Sequence, residues 1–261
     1  MSARLTMTIV VYKKYDDAAE TVESIEKCTN SSLKKKIYVI DNSCLDDNNP
    51  ERGEFERMLS RYEDVEYINT HENLGFGKGH NYVIDRLDSE FHAIVNPDII
   101  LREDSFSKII GFMRDETIGM CIPKLVDESG ELQDAYRLEP TVTDMFIRMF
   151  AKKLFKKRMK HHSMKDMDYT KPFDVPFGQG SFLVIRTELW KQIGGFDDRY
   201  FMYMEDADLC KNVNQLSRLV YFPDTEVVHK WEKGSHKSGK LFRIHLASMR
   251  QYFKKWKWKL R

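Results

Sequence analysis

The sequence predicts an α/β fold in which a mainly parallel central sheet is flanked by helices, with a Rossmann-like nucleotide-binding half. Two observations predict it. Four short apolar segments alternate with helical patterns in the first half of the chain, at 8–12, 37–40, 65–68 and 93–95. Such alternation is typical of strand–helix–strand units, whose strands run parallel. The fourth segment is followed, after one asparagine, by a proline and an acid, as expected where a strand ends at the ligand-binding edge of a sheet.

The tripeptide after the fourth segment is Asn96-Pro97-Asp98. Ligands of open α/β sheets bind beyond the carboxyl ends of the strands, so Asp98 stands where a divalent cation could be held. By turn chemistry alone, Asn-Pro-Asp is more often a turn than a metal site. The motifs on either side of it change that balance.

Bulk properties restrict the class of protein. The chain has 261 residues, a formal net charge of +1 and a mean hydropathy of −0.56. It contains no run of eighteen apolar residues and no hydrophobic segment of the signal-peptide type near residue 1, which favours a cytoplasmic location. Four cysteines without C-x-x-C or zinc spacing indicate reduced, buried thiols.

The first two strands carry the next candidates. The segment 8–12 precedes a helix with Ala18, Ala19, Val22 and Ile25 on one face, and the segment 37–40 ends in Asp41-Asn42-Ser43. Asp41 is either a turn-forming residue or a carboxylate that accepts hydrogen bonds from a nucleotide's base or ribose. Residues 44–52 are predicted as a loop, and a polar helix over about 54–61 leads to the third strand.

A glycine-rich stretch follows the third strand, with glycines at 75, 77 and 79. It lacks the Ser or Thr of a Walker loop and the spacing of the dinucleotide fingerprint. Alternating glycines permit close backbone approach, and a helix that begins there and runs towards Leu87 would offer N–H groups to an anion. The alternative is a plain flexible turn.

Past Asp98 the pattern predicts an amphipathic helix over 106–113 with Asp104 as N-cap, and a short strand over 118–126. A basic amphipathic segment covers 145–165. An acidic cluster then lies among aromatic residues, at Asp197, Asp198, Glu205, Asp206 and Asp208. Such acids could form a solvated loop and a helix start, which the helix dipole favours. Carboxylates against apolar rings instead have raised pKa values and can act as general bases.

The last segment, 237–261, holds nine Lys or Arg and no acid, with aromatic residues at helical spacing and two tryptophans at its basic end. This pattern favours an anionic membrane surface first and a docking or oligomer helix, such as one in a homodimer, second. Nucleic acid is a distant third, because no RNA- or DNA-binding module accompanies it.

Five motifs occur in order: Asp41-Asn42-Ser43, the 73–81 stretch, Asn96-Pro97-Asp98, Gly194-Gly195-Phe196-Asp197, and Glu205-Asp206-x-Asp208-Leu209. Over about residues 6–235 the chain resembles family 2 of the inverting glycosyltransferases, which have the GT-A fold. The subgroup it most resembles contains bacterial rhamnosyltransferases of cell-surface polysaccharide synthesis. Val228-His229, followed by Gly234-Ser235, is similar to the family's late histidine motif.

The resemblance implies a division and a set of roles. Residues 1–235 would be the GT-A domain, with a nucleotide-sugar-binding half (1–98) and an acceptor and catalytic half (99–235), and 236–261 a basic amphipathic helix. Asp206 would be the general base with Glu205 beside it, and Asp98 with His229 would hold Mg²⁺ or Mn²⁺. The nucleotide-sugar would contact Val11, Tyr12, Asp41, Asn73, Gly75, Phe76, Gly77, Gly79, Asn81, Asn96 and Asp98. The acceptor would contact Gly178, Gln179, Gly180 and Phe201.

The implied activity is transfer of a sugar from a dTDP- or UDP-sugar to a glycan or lipid-linked glycan, at the inner face of the cell membrane. L-Rhamnose from dTDP-rhamnose is the first choice, and galactofuranose, galactose or glucose from UDP are the alternatives. Two positions depart from the family: Asn96 replaces the first acid of the D-x-D metal motif, and Lys13 stands where asparagine is common.

Two rival functions fit less well. A sugar nucleotidyltransferase needs a glycine-rich loop after its first strand, whereas the first glycine of this chain is Gly53. A non-catalytic glycan-binding relative is expected to lack Asp98 or Asp206, and both are present.

Overall fold

The computed structural model describes residues 3–46, 48–230 and 239–259. Its strands are β1 (Ala3–Val11), β2 (Lys35–Asp41), β3 (Val65–Asn69), β4 (Ser89–Val95), β5 (Ile99–Leu101), β6 (Ile118–Val126), β7 (Tyr136–Arg137), β8 (Phe173–Asp174), β9 (Phe177–Gly178), β10 (Phe182–Arg186) and β11 (Arg218–His229). Its α-helices are α1 (Tyr15–Cys28), α2 (Pro50–Leu59), α3 (Phe76–Asn81), α4 (Ser105–Phe112), α5 (Val142–Phe146), α6 (Lys156–His162), α7 (Thr187–Ile193), α8 (Glu205–Leu216) and α9 (Gly239–Trp256). A 3₁₀ turn covers Ile84–Arg86, and a π-helical turn covers Ile147–Ala151.

Among the described residues, nine strands form one sheet in the order β3-β2-β1-β4-β10-β6-β11-β5, with β8 paired to β11. The first four strands of this order are parallel, as predicted. The second half is mixed, because β10 runs antiparallel to both β4 and β6 and because β5 and β8 run antiparallel to β11. The predicted α/β class with a helix-flanked central sheet is confirmed.

The strand directions bring the candidate motifs to one edge of the sheet. β1, β2 and β4 end there, since Val11 pairs with Asp41 and Ile9 pairs with Val95. β10 begins at the same edge, because Phe182 lies opposite Val95. β11 also ends there, with His229 opposite Ile99. The carboxyl ends of β1, β2 and β4 therefore face segments from the second half of the chain.

Several local predictions are confirmed, and two boundaries differ. The predicted strand 118–126 and the helix capped by Asp104 are present, and the Asp104 carboxylate accepts from Ser107 N at 3.1 Å. The helix predicted to start near residue 54 starts at Pro50, because Asn49 caps it by accepting from Arg52 N. The helix expected to run towards Leu87 ends at Asn81. Of the four cysteines expected to be buried, Cys121 and Cys210 are buried, Cys28 is half-buried, and Cys44 is exposed because it lies in the loop after β2.

The basic C-terminal segment forms α9, and part of it packs on the body of the protein. Tyr252 and Phe253 are buried, whereas Phe242 and Leu246 on the same helix are exposed. Lys255 forms ion pairs with Asp197 and Asp208. The predicted motif Gly234-Ser235 lies outside the described residues. In the described ranges no helix is both long and apolar enough to cross a membrane.

Candidate active site

The Asn96-Pro97-Asp98 turn is held from three sides. Thr21, buried on α1, donates its hydroxyl to Pro97 O at 2.8 Å and accepts from Ile99 N at 3.1 Å. Asn96 N donates to Ser181 O at 2.8 Å, and Lys230 N donates to Asp98 O at 2.9 Å. Neighbours on α1, directly before β10 and directly after β11 thus fix the backbone that presents the Asp98 carboxylate.

The structure brings Asp98 and His229 together, although 131 positions separate them in the sequence. Asp98 Oδ1 lies 3.4 Å from His229 Nε2. The other ring nitrogen, Nδ1, lies 2.9 Å from Gln133 Oε1, and Gln133 Nε2 donates to His229 O at 2.7 Å. Because a carbonyl oxygen only accepts, Nδ1 carries a hydrogen, and Nε2 is the ring nitrogen that faces Asp98.

This arrangement fits a divalent cation. Asp98 Oδ1 and Asn96 Oδ1 are buried acceptors that have no hydrogen-bond donor among the described residues. A cation-binding histidine usually donates its second N–H to a carbonyl or carboxylate, as His229 does to Gln133. No three His, Cys, Asp or Glu side chains of the described part converge as a metal cluster. With the single carboxylate of Asp98, the site suits an ion such as Mg²⁺, which takes one or two carboxylates and fills its shell with phosphate oxygens and water.

Asp41 lies at the end of β2 and is buried. Its Oδ2 accepts from Tyr15 OH at 2.8 Å and from Tyr67 OH at 2.6 Å, and its Oδ1 accepts from Ser43 N at 2.8 Å. Burial and the Asp41 carboxylate raise the pKa of Tyr15 to about 12, so this phenol remains a donor. Beside this group, Val11 is buried and accepts from Asn42 N, while the ring of Tyr12 is exposed.

The glycine-rich stretch packs against β1 and against the loop between α7 and α8. Gly75 has φ of +80°, and a Cβ there would lie 2.4 Å from Phe201 O, so no side chain fits. Gly77 and Gly79 lie inside α3, where a Cβ would meet Phe196 or Val10 at 2.9 Å. Phe76 N donates to Phe201 O at 3.2 Å. These glycines are explained by close packing.

Two asparagines of the same stretch hold backbone. Asn73 is exposed, and its side-chain oxygen accepts from Gly75 N at 3.0 Å. Asn81 uses its whole amide on the second half of the chain: it accepts from Phe196 N at 2.9 Å and donates to Phe196 O at 2.7 Å and to Asp198 Oδ1 at 2.9 Å. Asn81 thereby positions the loop that precedes Asp206.

The segment 178–181 lies between Asp206 and the Asn96-Pro97-Asp98 turn and contacts both. Gln179 N donates to Ala135 O at 2.8 Å, which fixes the segment. Gly180 N lies 3.4 Å from Asp206 Oδ2, and a Cβ on Gly180 would lie 3.2 Å from Asp206 Cβ. The next residue, Ser181, holds Asn96 through its carbonyl oxygen. Asp206 and the Asn96-Pro97-Asp98 turn are therefore both in contact with one dipeptide.

Glu205 and Asp206 begin α8 after two residues with positive φ, Tyr203 at 70° and Met204 at 68°. Burial raises the pKa of both carboxyls, and the charge of Asp206 raises the pKa of Glu205 further. Asp206 Oδ1 accepts from Ala207 N at 2.8 Å, whereas Glu205 Oε2 has no donor among the described residues. Hydrogen bonds to a carboxylate favour its charged form, so Asp206 carries the charge and Glu205 the proton.

Two arginines near Asp206 were not predicted as site residues. Arg137 ends β7, opposite Phe177 of β9, with its guanidinium 5.4 Å from the centre of the Phe177 ring. Arg148 lies on the π-helical turn. The charges of both lower the pKa of Asp206, against the effect of burial. Both arginines lie far from Asp206 in the sequence, so no sequence pattern indicated this electrostatic effect.

Asp208 is a structural acid. It is buried and accepts from Lys255 Nζ at 2.7 Å, from Trp256 Nε1 at 2.7 Å and from Tyr200 OH at 3.3 Å. Ser248 Oγ donates to Met202 O at 2.8 Å. The helix α9 thus holds the loop and helix start that carry Asp206, a contact that charge patterning alone did not reveal.

The sequence profile described as "Glycosyl transferase family 2" matches residues 6–194 of the chain. The chain belongs to this family. Its solved relatives in structure include GalNAc-T7 with UDP, GalNAc and Mn²⁺, at a TM-score of 0.72 and 14% identity over 96% of this chain and 47% of that one. Another is the mannosyltransferase PcManGT of Pyrobaculum calidifontis with GDP-Man and Mn²⁺. Its TM-score is 0.66 and its sequence identity 16%, over 98% of this chain and 64% of that one. The chain spans about half the length of the first of these structures, and the shared fold is GT-A.

Curated relatives of this family 2 glycosyltransferase include two rhamnosyltransferases. One is N-acetylglucosaminyl-diphospho-decaprenol L-rhamnosyltransferase of Mycobacterium tuberculosis, 28% identical over 219 residues, which are 78% of this chain and 70% of the relative. The other is rhamnosyltransferase WbbL of Escherichia coli, 29% identical over 209 residues, which are 75% and 76% of the two chains. These similarities support a glycosyltransferase that acts on polysaccharide precursors.

Proposed function

We propose that this protein is an inverting, divalent-cation-dependent rhamnosyltransferase. It would transfer L-rhamnose from dTDP-rhamnose to a lipid-linked glycan acceptor of bacterial surface polysaccharide, at the inner face of the cell membrane. Residues 1–98 would bind the nucleotide-sugar, and residues 99–235 would bind the acceptor and supply the base. The two rhamnosyltransferase relatives support the sugar, and the one that acts on N-acetylglucosaminyl-diphospho-decaprenol supports a lipid diphosphate acceptor.

One observation carries the proposal. Gly180 contacts Asp206 while its neighbour Ser181 holds Asn96, two residues from Asp98. A base and a cation-binding turn on either side of one short segment match what glycosyl transfer requires at its two ends. The acceptor hydroxyl must lose a proton on one side of the sugar, and the diphosphate must leave on the other.

The chemistry follows from these positions. Asp206 takes the proton of the acceptor hydroxyl, and the oxygen forms a bond to the anomeric carbon as the bond from that carbon to the diphosphate oxygen breaks. Such a base contributes ~10²–10⁴ in rate, because a sugar hydroxyl is a weak nucleophile near neutral pH. A cation held by Asp98 and His229 would supply positive charge beside the diphosphate. Asp41 and Tyr12 would contact the nucleotide.

A donor-cleavage assay, in which water takes the sugar in place of the acceptor, tests the donor. Purified protein is offered dTDP-rhamnose, UDP-galactose, UDP-glucose or UDP-galactofuranose, with and without Mn²⁺, and ligand-induced shifts in Tm are measured in parallel. The proposal expects the largest shift and measurable release of dTDP with dTDP-rhamnose, since stabilisation follows RT ln(1 + [L]/Kd). A shift only with a UDP-sugar would replace rhamnose by that sugar, and binding without donor cleavage in any mixture would contradict the enzyme.

A further inference from the structure

An exposed apolar and basic surface lies on the excursion between β7 and β8. Four large apolar side chains on it are open to solvent: Phe146 at 59%, Phe150 at 63%, Leu154 at 83% and Phe155 at 48%. The rings of Phe146 and Phe150 lie 5.2 Å apart. Phe146 and Phe155 also border an open depression of about 470 Å³, and neither ring is covered by the rest of the protein on that side. Exposed apolar clusters of this kind mark interaction sites.

The same segment is strongly cationic. Residues 145–165 contain eight Lys or Arg and no acid. Four of the lysines, at 152, 153, 156 and 157, are exposed and form no ion pair within the described residues. Arg158 is an exception, because it pairs with Asp144 at 2.6 Å. Apolar side chains flanked by unpaired lysines are complementary to a lipid surface, where anionic head groups cover a hydrocarbon interior.

We infer that the segment 146–157 seats this protein on an anionic lipid surface. The inference deepens the proposed function and rests on it for the acceptor, because it assigns the membrane contact to this surface. The sequence pattern had favoured the C-terminal segment, but α9 uses Tyr252, Phe253 and Lys255 to pack on the body of the protein.

The surface adjoins the candidate base. Leu138 N, directly after β7, donates to His162 O at the end of α6, so the excursion is anchored beside Arg137. The charge of Arg148, on the same segment, acts on Asp206. An acceptor whose lipid stays in the bilayer would therefore present its glycan close to Asp206. A second copy of this chain is a poor occupant of the surface, because two such faces would bring unpaired positive charges together.

Sedimentation with vesicles tests the assignment on the full chain. The probes are vesicles of phosphatidylcholine alone and of phosphatidylcholine with phosphatidylglycerol, at low and physiological salt. Two variants are compared with the parent: a charge variant with Gln at 152, 153, 156 and 157, and an apolar variant, Phe150→Ser with Leu154→Ser. Lys27→Gln with Arg61→Gln removes exposed charges on the α1 and α2 side, and Phe242→Ser with Leu246→Ser removes exposed apolar groups of α9.

The charge variant should lose roughly fivefold in partition onto anionic vesicles for each lysine removed. The apolar variant should lose about tenfold or more, and both control variants should bind like the parent. Equal sedimentation of parent and surface variants, or a loss confined to the α9 variant, overturns the inference. So does a dimer in solution that the surface variants dissociate without any vesicle binding by the parent.

The outcome is separable from the proposed function. Vesicle sedimentation requires neither donor nor acceptor, so it can succeed even if the protein transfers no rhamnose. If transfer occurs, the apolar variant should keep the parent rate on a short water-soluble acceptor and lose at least about tenfold on an acceptor embedded in vesicles. Equal losses on both acceptors would contradict a membrane role.

Discussion

At the scale of single residues, the neighbouring carboxyls of Glu205 and Asp206 differ in their hydrogen bonds. Asp206 receives N–H groups from Gly180 and Ala207, and the charges of Arg137 and Arg148 favour its ionised form. Glu205 is buried without a donor to Oε2 in the described part of the chain. Two acids in unlike surroundings are a common way to separate the roles of base and neutral partner.

Asp206→Asn should lower kcat by ~10²–10⁴ with little change in donor Kd, because the amide keeps the shape but cannot take the proton. Glu205→Gln should retain more activity, since the protonated acid and the amide have similar charge. Rates and donor affinity of both variants are measured under the same conditions. A dead Glu205→Gln beside an active Asp206→Asn would assign the base to Glu205.

The pH profile provides an independent test of the same base. Burial raises the pKa of Asp206, so activity should fall as pH decreases through a value above the ordinary aspartate range. Arg137→Met removes a charge that lowers this pKa, and the acidic limb of kcat should therefore move to higher pH. An unmoved limb in Arg137→Met would show that another group controls it.

Asp98→Ala should abolish cation-dependent binding of the nucleoside diphosphate and leave the fold intact, because its carboxylate is the only acid at the turn. Gln133→Leu should weaken cation affinity by ~10–100-fold, since it frees His229 to rotate and to change tautomer. Calorimetry with Mn²⁺ and dTDP measures both. Gln133→Glu, which still accepts from Nδ1, serves as the control and should bind more tightly than Gln133→Leu.

Short motifs predicted roles for Asp98, His229 and Asp206, and the structure brings Asp98 and His229 together, while the three roles remain predictions. Gln133 could not be predicted: its contact with His229 spans 96 positions, and a lone glutamine in a loop has no distinguishing pattern. Asn81 was predicted to line the donor pocket, and its amide is occupied by Phe196 and Asp198. Its part in donor binding remains a prediction.

At the scale of elements, the parallel strands β1 to β4 followed from periodicity because each is a compact apolar run. The sequence placed the start of α2 near residue 54, because residues 44–52 have the composition of a polar loop. The helix starts at Pro50, because Asn49 and Pro50 form a helix-start signal that outweighs this composition. The antiparallel entry of β10 could not be predicted, since strand direction depends on long-range pairing and not on local pattern. For the same reason, the sequence could not show whether α9 packs on the protein or faces a membrane.

Asp208→Asn tests the link between α9 and α8. Asp208 is buried beneath Lys255 and Trp256, so loss of its charge should lower the free energy of unfolding by ~1–3 kcal/mol while donor Kd stays near the parent value. Urea denaturation and calorimetry measure these quantities. The exposed Asp198→Asn is the matched control, with an expected change within about 0.5 kcal/mol. A stable Asp208→Asn that loses turnover as severely as Asp206→Asn would contradict a structural role.

Deletion of residues 239–261 is a poor test of membrane binding for the same reason. It would remove the buried rings of Tyr252 and Phe253 and leave Asp208 without two of its donors. Any loss of vesicle binding could then follow from unfolding. Point changes at the exposed Phe242 and Leu246 avoid this ambiguity.

At the scale of the whole molecule, two buried histidines, one on β4 and one on α3, contact threonines of the central strand β1. His92 on β4 contacts Thr6 through Nδ1 at 3.0 Å and Thr8 through Nε2 at 3.2 Å. Thr8 also contacts His80 Nδ1 at 2.6 Å. Burial lowers the pKa of His92 from 6.5 to about 3, and burial also lowers that of His80 well below 6.5. The rings are therefore neutral in the folded protein.

This burial makes the stability of the whole fold depend on pH. In the unfolded chain both rings bind protons near pH 6.5, so between about pH 6.5 and 3 the unfolded state holds more protons. The free energy of unfolding should therefore fall as pH decreases through this window, by about 1.4 kcal/mol per pH unit for each histidine, with no contribution above it. Urea denaturation across the window should give His92→Phe a slope smaller by about that amount. Thr6→Val removes a hydrogen bond of the same ring but no titrating group, so it should lower stability and keep the parent slope. If His92→Phe and Thr6→Val have equal slopes, the acid sensitivity of the protein arises elsewhere than in this histidine.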